Sequence, residues 1–343
     1  MIFVSVRPPN WVRPNWVWCV TGHPARRQCG APFFARFPTL LDSRWLRQFN
    51  ARVPLDKLTI IGAGLLGGSI GLAARARGLA RRVSALVRRP ESLAECQALG
   101  IANEVTLDPA EAVACADLVV LCTPISGMAG LAKRTLPDLK PGTVITDVGS
   151  TKQQLVAELT PLCAGAGARF VGSHPMAGSD QTGPSAARAD LFDGTVCVVT
   201  PTSDTDADAL ATVNDFWADL GSRPVVMPAD THDRLVARCS HLPHLLASAL
   251  AGRVLDPAHG EQQAQLCATG FRDMTRLAAG SPVMWRDIVG SNRDDILAAI
   301  DEFADELDQL RGLIAGDSPE SIEAWLQRAK LARDNWNNSS DAD

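Results

Sequence analysis

Beyond its first fifty residues the chain alternates short, largely apolar runs with stretches of helical period. The first run, Leu58-Thr59-Ile60-Ile61, leads at once into Gly62-Ala63-Gly64-Leu65-Leu66-Gly67-Gly68-Ser69, then into an apolar helix pattern through Ile70, Leu72, Ala73 and Ala74. Further strand-length runs cover residues 82–87, 117–122 and 143–147. Largely apolar strands alternating with helices are the pattern of a parallel sheet covered on both faces. A strand at 169–171 precedes a loop of small residues at 172–179; a strand at 195–200, a helix over 205–219 and a strand near 224–227 follow. The remainder reads as helical. From Asn292 the apolar positions Ile296, Ile300, Phe303, Leu307, Leu310 and Ile314 step by four and three. That is one face of a long helix with heptad-like spacing, buried in its own domain or against a second subunit.

The glycine run is G-x-G-x-x-G between a strand and a helix, the context in which that motif binds a dinucleotide. Gly62 permits the tight turn, Gly64 lets the backbone approach the pyrophosphate, Gly67 allows close helix–strand packing, and Leu65 and Leu66 complete the turn. The second strand should end beside the adenosine ribose, where NAD sites usually place an acid. Here Arg88 and Arg89 stand there, and the first acid is Glu91. A pair of arginines favours a 2′-phosphate, hence NADP over NAD. Thr123, Pro124 and Ser150 follow strand ends and are candidates to border the nicotinamide; Ser150 also reads as a helix N-cap. The expected organisation is an irregular extension over 1–53, an α/β Rossmann-type NAD(P)-binding domain over 54–227, an all-α substrate and dimerisation domain over 228–335, and a tail over 336–343.

Composition narrows the class. With 46% hydrophobic and 21% charged residues, the chain is an ordinary globular protein, and its nine cysteines form no CxxC pair, as for reduced thiols in the cytoplasm. No apolar run is long enough to span a bilayer. Residues 1–52 hold eight arginines and one acid, Asp42, for a net charge of +7, which leaves −12 on the rest. An acidic body argues against nucleic acid as a partner. The extension is Arg-rich like a targeting peptide but lacks an amphipathic face, and is read as outside the fold.

Two segments carry candidate chemistry. His174 sits in Gly172-Ser173-His174-Pro175-Met176-Ala177-Gly178-Ser179, placed to take a proton while a hydride leaves for the nicotinamide. In 232–244, Ser240 and His244 share a helical face, His241 and His244 are i, i+3 neighbours, and Pro243 should bend the helix by freeing the Cys239 carbonyl. No carboxylate or cysteine completes a metal set with these histidines at the usual spacing. Asp273 and Arg276 are spaced for an ion pair; alternatively Arg276 or Arg286 binds a substrate carboxylate.

Taken together, IIGAGLLGGSIG, DVGSTK, GSHPMAGS, ADLFDG, HD with SHLPH seven residues on, and FRDMTR followed by MWRDI resemble the prephenate and arogenate dehydrogenase family of tyrosine biosynthesis, from about Leu58 to Leu331. The resemblance implies a Rossmann-type domain and a dimerising helical domain with the active site between them. It implies that His174 accepts the ring-hydroxyl proton of prephenate with help from Ser150. Ser240, His241 and His244 would line the substrate pocket, Arg276 would bind a carboxylate, and Asp233 and Trp285 would shape the entrance. The expected reaction is oxidative decarboxylation of prephenate to 4-hydroxyphenylpyruvate by a cytoplasmic homodimer, with arogenate as the alternative substrate. Where many relatives carry a Glu-Lys pair this chain has Asp180-Gln181, and Asp180 is an acid available to an arogenate ammonium. No segment resembling a regulatory domain follows the helices, so feedback through one is not expected. Related dehydrogenases with a lysine proton carrier fit less well, since the polar centre here is histidine. A short-chain dehydrogenase is excluded because the chain has no tyrosine. A non-catalytic nucleotide sensor would not need His174, Ser150 and Arg276 together.

Overall fold

The computed structural model describes residues 54–340 apart from Asp180, Gly260 and Asp317; the expected extension over 1–53 lies outside the described residues. The first half alternates strand and helix: β1 (Leu55–Ile61), α1 (Leu65–Arg77), β2 (Ala80–Leu86), α2 (Pro90–Ala98), β3 (Glu104–Thr106), α3 (Pro109–Val113), β4 (Leu118–Leu121), α4 (Ile125–Thr135), β5 (Val144–Asp147), α5 (Gln153–Gly165) and β6 (Arg169–Phe170). These six strands form one parallel sheet in the order β3-β2-β1-β4-β5-β6. The strand order reverses between β1 and β4, where such sheets open a crevice for a nucleotide. Each central strand feeds two cores. Ile60 and Val120 pack with Ile70, Val83, Phe192 and Trp217, while Ile61, Val119 and Leu121 pack with Ile145, Leu155 and Phe170 on the other face. Burial on both faces is why these runs carry no polar alternation.

A second, three-stranded sheet follows, made of β7 (Gly172–Pro175), β8 (Val196–Thr200) and β9 (Arg223–Val226), with α6 (Ala207–Asp219) between the last two. The expected loop at 172–179 is therefore corrected. Its first four residues pair antiparallel with β8, His174 opposite Val198. The apolar pattern hides this strand because its residues are small or polar. Gly172 is required there, since a Cβ would stand 2.6 Å from Thr200 Oγ1.

The chain then becomes helical: α7 (Ala229–Val236), a π turn (Ala237–His241), α8 (Leu242–Val254), α9 (Glu261–Gln265), α10 (Thr269–Thr275), a 3₁₀ turn (Arg276–Ala279), α11 (Pro282–Ser291), α12 (Arg293–Ala315) and α13 (Pro319–Ser340). Pro243 lies in the first turn of α8. The helical path absorbs its missing N–H by widening into the π turn before it, where the sequence predicted a proline bend. Of the stripe on α12 only Ile296 is buried, against Ala237, Leu242 and Ala299; Phe303 packs at the edge, and Leu307 and Ile314 are 51% and 61% exposed. The expected tail is corrected as well, because α13 continues to Ser340. The sheet and helical parts make one compact unit, and the seven described cysteines are free thiols.

Candidate active site

The turn after β1 is shaped as a phosphate cradle. Gly62 has φ +98°, a left-handed conformation costly for other residues. A Cβ on Gly67 would lie 2.1 Å from Gly62 O, so α1 packs on the turn only through glycine. At Gly64 a Cβ would meet nothing within 4 Å, which leaves open space where the motif needs room. Leu65 and Leu66 open α1, whose first turn holds no acid to offset its N-terminal dipole. At the end of β4, Thr123 is half-buried, and its hydroxyl is buried without a hydrogen-bond partner among the described residues. Pro124 is the N-cap of α4. Arg88 and Arg89 are both exposed just past β2, with Arg89 at the N-cap position of α2 and making no side-chain cap. Open space, an uncompensated helix N-terminus and an orphaned hydroxyl fit a bound dinucleotide.

A chain of buried side chains lies across the junction of the sheet and helical parts. His174 Nδ1 is 2.8 Å from His232 Nε2, and His232 Nδ1 is 2.7 Å from Asp233 Oδ1. The Asp233 carboxylate also accepts the backbone N–H groups of Lys152 (2.7 Å) and Gln153 (2.8 Å). Asp233 therefore caps α5 from 80 residues away, the role the sequence offered to Ser150. Ser150 is half-buried and makes no such cap. Nor does Asp233 stand at a pocket entrance: it is fully buried. Its backbone carbonyl accepts Asn292 Nδ2 at 2.9 Å, and the same amide nitrogen is 3.2 Å from His241 Nδ1. A carbonyl can only accept, so Asn292 presents N–H there and His241 Nδ1 is the acceptor. The ring proton of His241 is then on Nε2, which is buried and has no partner among the described residues. His244 stacks on Trp285 at 3.5 Å between ring centroids, and His241 meets the same indole edge-on at 5.9 Å.

Beneath His174 runs a second buried network. Lys152 Nζ pairs with the Asp147 carboxylate and donates to Ser173 O at 2.9 Å, and Asp147 Oδ1 accepts Ser173 N–H at 3.0 Å. This ties β7 to the carboxyl end of β5.

Burial sets the histidines' protonation. It is the largest cause holding His174 well below its ordinary value, aided by His232, Lys152 and His241. Burial also pushes His241 down to about 4, against the pull of Asp233, and lowers His244. The sign for stability follows: between pH 6.5 and about 4 the unfolded chain binds protons that the folded chain refuses. Stability is full above pH 6.5 and falls toward pH 4, His241 alone accounting for ~3 kcal/mol. Denaturant titrations from pH 7.5 to 4.5 should show this fall, with a shallower slope in His241→Gln. Equal slopes in the two proteins would refute the assignment.

Comparison with known proteins decides the family. Residues 70–226 match the nucleotide-binding domain of prephenate dehydrogenase, and residues 228–328 match its dimerization domain. The chain is 34% identical over 278 residues to the cyclohexadienyl dehydrogenase of Zymomonas mobilis, covering 80% of this chain and 94% of that one. The chain belongs to the prephenate dehydrogenase family. It resembles the prephenate dehydrogenase of Aquifex aeolicus, solved in complex with hydroxyphenyl propionate and NAD+, with a TM-score of 0.77, 31% identity, and coverage of 82% of this chain and 99% of that one. It resembles Synechocystis arogenate dehydrogenase with a TM-score of 0.71, 28% identity and the same coverage. The family makes it an oxidoreductase with a nucleotide-binding domain.

Against that family frame, the expected site residues divide. His174, Asp233, His241, His244 and Trp285 are linked by hydrogen bonds and ring contacts through His232 and Asn292. Ser240 is half-buried in the π turn beside them. Arg276 is exposed, and no ion pair between Asp273 and Arg276 forms among the described residues, which leaves the alternative of a carboxylate-binding Arg276 open. Its 3₁₀ turn packs on α8, which carries His244. Arg286 is instead committed to Asp287 at 2.8 Å, and Asp287 to Ser126. Asp180 lies outside the described residues. The sequence reading missed His232 and Asn292. The His232-Asp233 dipeptide was the available signal for the first; Asn292 passed as the ordinary start of a helix.

Proposed function

We propose that the protein converts prephenate to 4-hydroxyphenylpyruvate by oxidative decarboxylation, as a cytoplasmic homodimer that uses NADP in preference to NAD. The observation that carries this reading is His174, a neutral buried base at the end of a hydrogen-bonded side-chain chain, fixed to the end of the strand beside β4 and its Thr123. Gly62, Gly64 and Gly67 with Leu65 and Leu66 would hold the pyrophosphate, Thr123 and Pro124 would border the nicotinamide, and Arg88 and Arg89 would face the adenosine ribose. When bound, the nicotinamide supplies acceptance of the substrate's hydride. His174 accepts the ring-hydroxyl proton as the C–H bond breaks, with Ser150 at the same oxygen, and can return it to the phenolate left by loss of CO2. His241 offers its unpartnered Nε2–H to the substrate, and Ser240, His244 and Trp285 wall the pocket. Arg276 binds a carboxylate as a planar fork. Asp233 serves from behind. The exposed apolar faces of α12 and α13, with Leu307, Ile314, Leu326 and Trp336, would be covered by a second subunit.

Arogenate is the second reading, favoured by the likeness to the Synechocystis enzyme. Initial rates with prephenate and arogenate, each with NAD and NADP, test substrate and cofactor together. A higher kcat/KM for arogenate overturns the first choice. Arg88→Ala with Arg89→Ala should raise the KM for NADP by ~10-fold or more and leave that for NAD within about twofold, because only NADP presents a phosphate to charge-assisted donors. Equal changes for both cofactors would remove the NADP assignment.

A further inference from the structure

We infer that His232 and Asp233 form a positioning relay that fixes the tautomer of His174 and takes up the charge His174 acquires. The inference rests on the proposed role of His174 and names two residues that act through it.

Asp233 Oδ1 and Oδ2 accept the backbone N–H groups of Lys152 and Gln153, so the carboxylate cannot turn away, and Asn292 holds the same residue by its carbonyl. A carboxylate oxygen that already accepts one N–H, 2.7 Å from His232 Nδ1, requires a proton on that nitrogen; two lone pairs would otherwise face each other. Neutral His232 then has its lone pair on Nε2. At 2.8 Å from that lone pair, His174 Nδ1 must be the donor. The lone pair of neutral His174 is left on Nε2, the nitrogen that can accept a proton. If the order were reversed, His174 Nε2 would carry hydrogen and could not act as a base. The direction of the whole chain is thus set by backbone amides at the start of α5.

The groups about the pair also decide where positive charge is best held. Lys152 and His241 bear on His174, and Asp147 neutralises Lys152 from below. His232 instead touches the Asp233 carboxylate directly. When the substrate O–H breaks and its proton goes to His174 Nε2, the Nδ1 proton moves to His232 Nε2. His232 keeps its own Nδ1–H on Asp233. The relay moves protons only, and one positive charge ends beside one carboxylate, where opposite charge stabilises it.

The test uses 15N-histidine NMR of the full chain, which tells a protonated ring nitrogen from a bare one, together with steady-state kinetics. In the wild type, His174 Nε2 should be unprotonated at neutral pH without substrate. His232→Gln supplies a carbonyl that can accept His174 Nδ1–H but cannot take its proton. It should keep the tautomer and lower kcat about 10-fold with KM within about twofold. His232→Leu removes the acceptor and should lower kcat further and leave the tautomer mixed. Asp233→Asn removes the carboxylate charge, while its amide oxygen can still accept Lys152 N–H and His232 Nδ1–H; the tautomer should persist and kcat should fall about 10²-fold for want of the charge that holds the His232 cation. If Asp233→Asn fails to fold, the His232 pair keeps the α5 cap intact and carries the test alone. A protonated His174 Nε2 in the wild type, or His232→Leu with wild-type kcat and tautomer, overturns the relay. Turnover surviving His174→Asn overturns the proposed function instead, and the NMR result stands apart from it.

Discussion

His174→Asn should lower kcat about 10³-fold while the dissociation constant for NAD(P) stays within about twofold. The nucleotide cradle is built from the turns after β1 and β4, and His174 stands on β7, in another sheet. Removing the imidazole therefore takes away proton acceptance without touching the glycine turn. Asparagine keeps a short polar group in a site that is 8% exposed, so the loss should not come from an empty hole. The wild-type pH profile supplies a second check. Burial, then His232, Lys152 and His241, hold the His174 imidazole well below its ordinary value. The active form is neutral, so kcat should be flat through neutral pH and fall only well below pH 6.5. Such a weak base suffices because the hydroxyl becomes strongly acidic as the hydride leaves its carbon. An acid limb centred at or above pH 6.5, or one that persists unchanged in His174→Asn, would assign the limb to another group.

The parts legible in sequence are those whose physics is local. β1, the glycine turn and α1 follow from an apolar run and three glycines, because tight turns and close packing exclude other residues at those positions. The long helix α12 follows from its period. What sequence could not give is set by partners far along the chain. Ser150 is a sound N-cap by residue type, yet α5 is capped by Asp233, and no local pattern reports an acceptor from another helix. His174 looks like a loop residue because β7 has no alternation of its own and exists through pairing with β8. The stripe on α12 reads as buried in its own domain or against a second subunit, and only Ile296 finds a core within the chain. Arg276 and Arg286 look equivalent by spacing and separate only when Asp287 claims one of them.

Lys152→Met should cost ~3–5 kcal/mol of unfolding free energy, the scale for breaking a buried ion pair by removing one partner. Lys152 and Asp147 are both wholly buried. Methionine preserves the length and apolar stem of lysine, so packing changes little and the loss reports the uncompensated Asp147 carboxylate. Two backbone N–H groups, from Gly149 at 2.7 Å and Ser173 at 3.0 Å, still reach that carboxylate and keep the cost from rising further. No longer side chain at position 149 relieves it either, because even a Cβ there would stand 2.8 Å from Asp147 Oδ2. Asp147→Asn in the same chain removes the stranded charge, so the double variant should be more stable than the sum of the single losses predicts, by a coupling of ~1–3 kcal/mol. Denaturant unfolding of the four proteins gives the cycle directly. The consequence reaches the site as well. Ser173 is held by Asp147, by Lys152 through its carbonyl, and by Trp217 Nε1 on its hydroxyl at 2.9 Å. It is the residue before His174, and freeing it lets the base drift from a position that catalysis needs held to a fraction of an ångström. Lys152→Met should therefore lower kcat more than it raises KM, even under conditions where the variant is fully folded. A variant within 1 kcal/mol of the wild type with strictly additive losses would mean that the pair neither stabilises the junction nor holds His174 in place.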